Sequence, residues 1–530
     1  MRLLHNAHIH TLNPAQPVAT AIAVDQGRIL AVGSSQELLA EFAERAACED
    51  MHGLTLWPGL TDSHLHLEHY AFSLQMIDAE TTSRDECLRR VAERAQTTTP
   101  GQWIRGHGWN QNVWPEGFGS AADLDAVAPD HPVYLTAKSL HSSWANSVAL
   151  RLAGITAATP DPEGGQIVRD GQGRPTGILL ESAMELVGSI IPAPTVAETA
   201  RAIHEALPRL WQMGLTGVHD YDGARCFAAL QILDQTADLR LRVVKSIPHE
   251  NLPLAVQLGL RSGFGSDQLR IGSVKLFADG ALGPQTAAML QPYEGGSANT
   301  GMLLLDNEQI FEAGRQAAAG GLSLAIHAIG DRANHEVLLA YAHLREYEQQ
   351  QGLPALRHRI EHVQVLHPQD YTRLAELGVI ASVQPIHATS DMYIADRFWG
   401  PRSAGAYPFR TLLESGANLA FGSDAPVESP NPFVGLHAAV TRRRSNGDPG
   451  PEGWYPAQRL ALEQALDGYT TGAAFAAGRE NELGRLAPGF LADLIVLPVS
   501  PFDLPPHNLH SITPSATMFA GEWVWKAKDW

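Results

Sequence analysis

The stretch Pro58-Gly-Leu-Thr-Asp-Ser-His64-Leu-His66 reads as a β-strand ending in two histidines one residue apart. Alternate residues of a strand project to the same face. The two imidazoles therefore converge on one point, as ligation of a metal ion requires. Among 23 histidines such a pair can arise by chance. Four later apolar runs, however, also end in a side chain able to ligate a metal: Ser273-Val-Lys-Leu-Phe-Ala-Asp279, Leu324-Ala-Ile-His327, Arg359-Ile-Glu-His362 and Leu419-Ala-Phe-Gly-Ser-Asp424.

Around these runs, strand-like and helix-like segments alternate, the pattern of a parallel β/α architecture. Eight strands are expected near residues 59–66, 215–220, 240–246, 271–277, 322–328, 358–364, 378–384 and 417–424. Helices are expected at 306–319, 333–348 and 368–377. An eight-stranded α/β barrel builds its active site at the C-terminal strand ends, and the candidate ligands fall at five of those ends. His219, closing the second strand, is a further candidate for substrate contact, with packing as the alternative.

The barrel is expected to use residues 57–69 and 200–483. Residues 70–199 break its rhythm and are too long for a structureless loop, so they read as a folded insertion shaping the substrate pocket. Trp109, His141, Trp144 and Glu181 are its candidates for substrate contact, with local packing as the alternative for each. The short β-like runs of residues 1–56 and 484–530 are expected to pair into one small β-domain, since chain termini often lie close together.

Only five of the 38 cationic side chains are lysine. Lys275, inside an apolar strand, thus invites a reason specific to an amine. A buried amine kept neutral by desolvation can add carbon dioxide, giving a carbamate that bridges two metal ions as a carboxylate would. The alternative is a strand-end lysine paired with Asp279. A formal net charge of −19 argues against nucleic acid or an anionic membrane as partner. Cys48, Cys87 and Cys226 are too few and scattered for a disulfide framework, which fits a reducing compartment. The N-terminus has no sustained apolar core and no run reaches transmembrane length, so a cytoplasmic enzyme is expected. Gly422-Ser-Asp lacks the spacing of a nucleophile elbow, and no phosphate-binding glycine loop occurs.

As a set, the motifs resemble the amidohydrolase superfamily, in the branch that includes N-substituted formamide deformylases. The resemblance rests on Pro58–His66, Leu124-Asp-Ala-Val-Ala-Pro-Asp-His-Pro-Val133, Trp144-Ala-Asn-Ser147, Lys275-Leu-Phe-Ala-Asp-Gly-Ala-Leu-Gly283, His327-Ala-Ile-Gly-Asp331, Arg359-Ile-Glu-His-Val-Gln364, Gly422-Ser-Asp-Ala-Pro426 and Leu486-Ala-Pro-Gly-Phe-Leu-Ala-Asp-Leu494. It implies a metal-dependent hydrolase: a (β/α)8 TIM-type barrel, a β-sandwich domain from both chain termini, and the insertion after barrel strand 1. Carried over, His64 and His66 bind the more buried metal, and Lys275, carboxylated, bridges two ions. His327 and His362 hold the second ion, while Asp424 binds the first and handles the proton. Imidazole and carboxylate ligands suit zinc, as one or two ions, with manganese or iron as alternatives. The implied reaction is hydrolysis of a non-peptide C–N bond, an amide or an N-formyl or N-acyl amine, in a small-molecule substrate. A deaminase of the superfamily competes, but its glutamate three residues after the fifth-strand histidine is Gly330 here. Hydrolysis of an ester, lactone or carbamate stays open. A non-catalytic small-molecule-binding regulator would predict a broken ligand set. A homodimer would be unsurprising.

Overall fold

The structure is a computed structural model that describes residues 1–530 apart from 112–113, 138–141, 163–164, 284, 296–297 and 529. The chain forms two compact units, one of residues 1–70 and 196–530, the other of residues 71–195.

In the first unit eight strands lie side by side in chain order: β1 (Leu60–Leu65), β2 (Leu215–Asp220), β3 (Arg242–Pro248), β4 (Leu269–Phe277), β5 (Leu324–Ala328), β6 (Arg359–His362), β7 (Ile380–Val383) and β8 (Leu419–Phe421). Every neighbouring pair is parallel. All eight fall where the sequence places them. Their runs of Val, Ile, Leu and Ala are buried on both faces, as strands of a parallel sheet require. The first and last strands meet at their C-terminal ends. There Asp424 N–H donates to His64 O at 2.7 Å and His66 N–H to Ala425 O at 2.8 Å. This approach depends on Gly422, where a Cβ would stand 2.5 Å from the His64 nitrogen and 2.8 Å from Asp62 Oδ1. Helix α1 (Asn307–Ala319) follows β4 and α2 (Asp331–Gln350) follows β5. The helix expected at 368–377 is instead a 3₁₀ turn, Pro368–Asp370, and a short helix, Arg373–Glu376.

Two further sheets are built from the chain ends, the larger of them from both. The six-stranded one contains His8–His10 and Thr55–Pro58 beside Leu494–Leu497, Ala516–Phe519 and Glu522–Lys526; the four-stranded one is built from residues 2–50. They share an apolar core that includes Leu4, Ile22, Leu56, Leu494, Val496 and Met518, so neither terminus buries its face alone. Arg242, at the start of β3, pairs with buried Asp493 at 2.9 Å and ties this sandwich to the barrel.

The second unit has its own six-stranded sheet, running from Ile77–Asp78 through Ile104–Trp109 and Val133–Ala137 to Ser142–Ala145, Pro175–Glu181 and Gly165–Arg169. Helix Arg84–Thr97 buries Cys87 and Val91 in a core with Ile104, Val133 and Leu135. Among the described residues, no helix is long and apolar enough to cross a membrane.

Candidate metal centre

The C-terminal ends of β1, β4, β5, β6 and β8 bring His64, His66, Lys275, His327, His362 and Asp424 together. The Nε2 atoms of His64 and His66 each lie 3.5 Å from Asp424 Oδ1. The His362 ring centroid is 4.9 Å from that of His64 and 4.6 Å from that of His327. Two of these residues hold backbone angles that L side chains rarely adopt, φ 78° at His362 and φ 62° at Asp424. Such strain costs about 1–3 kcal/mol per residue and collects at functional sites.

Each imidazole is oriented from behind. His64 Nδ1 is 2.6 Å from Glu361 Oε2, His66 Nδ1 is 3.1 Å from Asp222 Oδ1, and His362 Nδ1 is 2.8 Å from Gln384 Oε1. His327 Nε2 faces the Gly280 carbonyl at 2.9 Å. An acceptor on one ring nitrogen fixes the proton there and turns the other lone pair outward, the arrangement found behind metal-ligating histidines. Burial, reinforced by the charge of Lys275, lowers the His64 pKa to about 4 and that of His327 to about 3, so both rings are neutral. A neutral His64 lone pair facing the Asp424 carboxylate sets acceptor against acceptor, which a cation between them resolves. At His66 burial opposes protonation, but the carboxylates of Asp222 and Asp424 outweigh it and raise the pKa to about 9. A proton here occupies a place that suits a metal ion. The donor set of imidazole nitrogens and a carboxylate therefore fits a divalent ion such as zinc. His64, His66 and Asp424 place one ligand atom each within 4.8 Å of the others.

Lys275 is buried, with its Nζ 4.6 Å from the centre of the Tyr221 ring and 5.0 Å from that of Phe277. Asp279, its alternative partner, accepts instead from the backbone amides of Ala288, Ile329 and Gly330 at 2.8–3.0 Å. Burial brings the Lys275 pKa down to about 8, against the opposing pull of Glu361 and Asp424. Lys245, also a buried strand lysine, behaves oppositely: its Nζ stands 2.9 Å from Asp220, and this ion pair overcomes desolvation and raises its pKa.

His219 is buried and accepts from Arg359 Nη1 at 2.8 Å. That bond places it in the Arg359 network, the packing alternative of its sequence reading. In the second unit, Trp109 and Trp144 are fully buried in that unit's own core, donating through Nε1 to the carbonyls of Leu135 and Ser120 at 2.9 and 2.8 Å. Both are packing residues. Glu181 is exposed at the end of its strand with φ 49°. His141 lies outside the described residues.

Glu361, Asp222 and Gln384 were not singled out by sequence reading. Glu361 is the hub: Arg359 Nε at 2.7 Å and the Tyr221 hydroxyl at 3.0 Å both donate to its Oε1. Asp222 also accepts from His69 Nδ1 at 2.5 Å and from the Glu68 amide at 2.6 Å. Buried Asp62 accepts the amides of His64 and Ser423 at 3.0 and 3.1 Å, which fixes the β1–β8 junction. Glu361 stands one position before a strand-end histidine, a local signal, whereas Asp222 and Gln384 carry none. His387, three residues beyond Gln384, also reaches this centre and was not singled out.

A barrel with this donor set at its C-terminal mouth defines a metal-dependent hydrolase. The sequence profile of the amidohydrolase family matches residues 47–525, and the chain belongs to that family. It is 32% identical to the putative amidohydrolase YtcJ of Bacillus subtilis (strain 168), over 98% of this chain and 99% of the relative. It is 29% identical to the N-substituted formamide deformylase of Arthrobacter pascens, over 94% of each chain. The crystal structure of an uncharacterized metal-dependent hydrolase from Pyrococcus furiosus superposes with a TM-score of 0.79 at 31% identity, covering 95% of this chain and all of the other.

Proposed function

We propose that the protein hydrolyses a non-peptide C–N bond, an amide or an N-formyl or N-acyl amine, in a small molecule. The observation that carries this reading is the Asp424 carboxylate, held between two oriented imidazoles at 3.5 Å. Although burial alone would raise its pKa, the neighbouring imidazoles, His66 first, hold it well below the usual carboxylate range. Asp424 is thus ionised, the state in which a carboxylate can accept a proton. His64, His66 and Asp424 would hold one zinc ion; His327 and His362 would hold a second, with a carboxylated Lys275 between them. A divalent ion bound there lowers the pKa of water from about 15.7 towards about 7 and polarises a carbonyl. Asp424 accepts the proton of the attacking water and passes it to the leaving nitrogen as the C–N bond breaks. Glu361 and Asp222 keep the imidazoles in register throughout.

The carbamate reading is supported by the contrast between the two buried lysines among the described residues, because of this pair only Lys275 lacks an ion-paired carboxylate and has a lowered pKa. Deamination is disfavoured at Gly330. A Cβ there would stand 1.9 Å from the Ala288 carbonyl oxygen, which leaves no room for a proton-shuttling glutamate. The relative from Arthrobacter pascens is named for deformylation of N-substituted formamides, a reaction of this class.

The test is amine release from a panel of N-formyl and N-acyl amines by zinc-loaded protein, alongside esters and lactones. Turnover of the amides is expected, with kcat falling about 10²–10⁴-fold in Asp424→Asn. Hydrolysis of the esters alone, or full activity in Asp424→Asn, would overturn the reading.

A further inference from the structure

His387 is outside the ligand set described above. It lies in the short helix Pro385–Ser390 that follows β7, with 6% of its surface exposed, and its ring is parallel to that of His362 at 6.2 Å. One ring nitrogen of His387, one of His362 and a carboxylate oxygen of Asp424 lie within 4.8 Å of one another. This side chain thus borders the centre from the β7 side, where no barrel strand supplies a ligand.

Its hydrogen bonding is one-sided. His387 Nδ1 is 3.5 Å from Gln364 Nε2, while His387 Nε2 is buried with no hydrogen-bond partner. Gln364 Oε1 is buried without a partner as well; with the amide nitrogen donating as placed, Nδ1 accepts and the ring proton sits on Nε2, the tautomer assigned here. In that tautomer His387 offers a buried N–H without a partner, close to the Asp424 carboxylate. Gln384 Nε2, at the end of β7, is a second buried donor without a partner. Buried polar groups are nearly always satisfied, and a donor left open at a catalytic centre is what a hole for a developing oxyanion consists of.

We propose that His387 is a catalytic residue whose Nε2–H donates a hydrogen bond to the substrate's carbonyl oxygen as negative charge gathers there. The inference rests on the reading that this centre hydrolyses a carbonyl compound. It assigns His387 to substrate, and zinc content per chain separates this role from that of a ligand, since His387, His362 and Asp424 could also hold an ion.

The test uses full-length zinc-loaded protein with His387→Phe, which keeps a ring without a donor, and His387→Gln, which restores an N–H. If His387→Phe does not fold, His387→Leu takes its place. Acetate, whose oxygens mimic those of the hydrolysed carbonyl, is titrated calorimetrically, and zinc per chain is measured in parallel. Acetate affinity is expected to weaken about 10-fold in His387→Phe and to return to within about 3-fold of wild type in His387→Gln. Zinc content should be equal in all three proteins. On the best amide of the panel, kcat should fall about 100-fold in His387→Phe with KM within about 3-fold. Loss of a zinc ion in His387→Phe would make the residue a ligand and overturn the proposal, as would unchanged acetate affinity. If the amides are not hydrolysed but acetate affinity still depends on His387, the donor role stands and the C–N reading fails.

Discussion

At the scale of single residues, the centre depends on what stands behind its ligands. Glu361 is fully buried and takes hydrogen bonds from His64, Tyr221 and Arg359 at once. Glu361→Gln preserves its shape while withdrawing the charge that fixes His64 and neutralises Arg359. Metal affinity should fall about 10–100-fold, read by chelator competition. Metal-free stability should fall by about 3 kcal/mol, since the Arg359 charge is left buried and uncompensated. A competition curve superposing on wild type would refute the role. At this scale the candidate ligands were legible in part: His64 and His66 close one apolar strand and His327, His362 and Asp424 close others, whereas Lys275 stood out through the rarity of lysine, and the set as a whole followed from the family resemblance. Their anchors were not legible: His64 and Glu361 are 297 residues apart, and His66 and Asp222 are 156 apart, and no local pattern joins such pairs. Trp109 and Trp144 illustrate the opposite difficulty. Aromatic residues with a polar edge serve pockets and cores alike, and here the indole N–H groups are satisfied by carbonyls within their own sheet unit.

At the scale of elements, the turn after β2 is fixed by an ion pair from β3. Lys245 and Asp220 are both buried and 2.9 Å apart, and Asp220 also accepts the Leu67 amide at 2.7 Å and the Asp222 amide at 3.2 Å. This arrangement aims Asp222 at His66. Lys245→Met strands the Asp220 charge and should cost about 3–5 kcal/mol in denaturant unfolding, with part of the loss recovered in Lys245→Met/Asp220→Asn. Equal midpoints for wild type and Lys245→Met would contradict this. The eight strands were readable as elements because continuous apolar runs identify a buried parallel sheet. The partner of each strand lysine was not readable, since pairing depends on which neighbouring carboxylate the register brings close. Lys245 meets Asp220 across β2 and β3, in register with it, whereas Lys275 stands opposite Ala325 on β5.

At the scale of the whole molecule, a buried histidine of the barrel faces the C-terminal segment. His437, in the helix Pro432–Thr441 after β8, stands edge-on to His510 of the C-terminal segment, with ring centroids 4.9 Å apart. Burial, then the neighbouring His510, lowers the His437 pKa from 6.5 to about 4. With the folded value below the unfolded one, the unfolded chain binds the proton more readily between these limits. The stability contributed is therefore complete above pH 6.5 and lost as pH falls towards 4, by up to about 3 kcal/mol. Metal-free His437→Gln should lose less stability than wild type between pH 7.5 and 4.5 in urea unfolding. Equal losses would remove His437 from the account.

The measurement closest to the central claim is metal content per chain by elemental analysis, on protein produced with zinc and bicarbonate, for wild type and Lys275→Ala. A carbamate-bridged hydrolytic centre predicts two ions in wild type and one or fewer in the variant. Equal ion content in the two proteins would contradict it and leave Lys275 a structural residue.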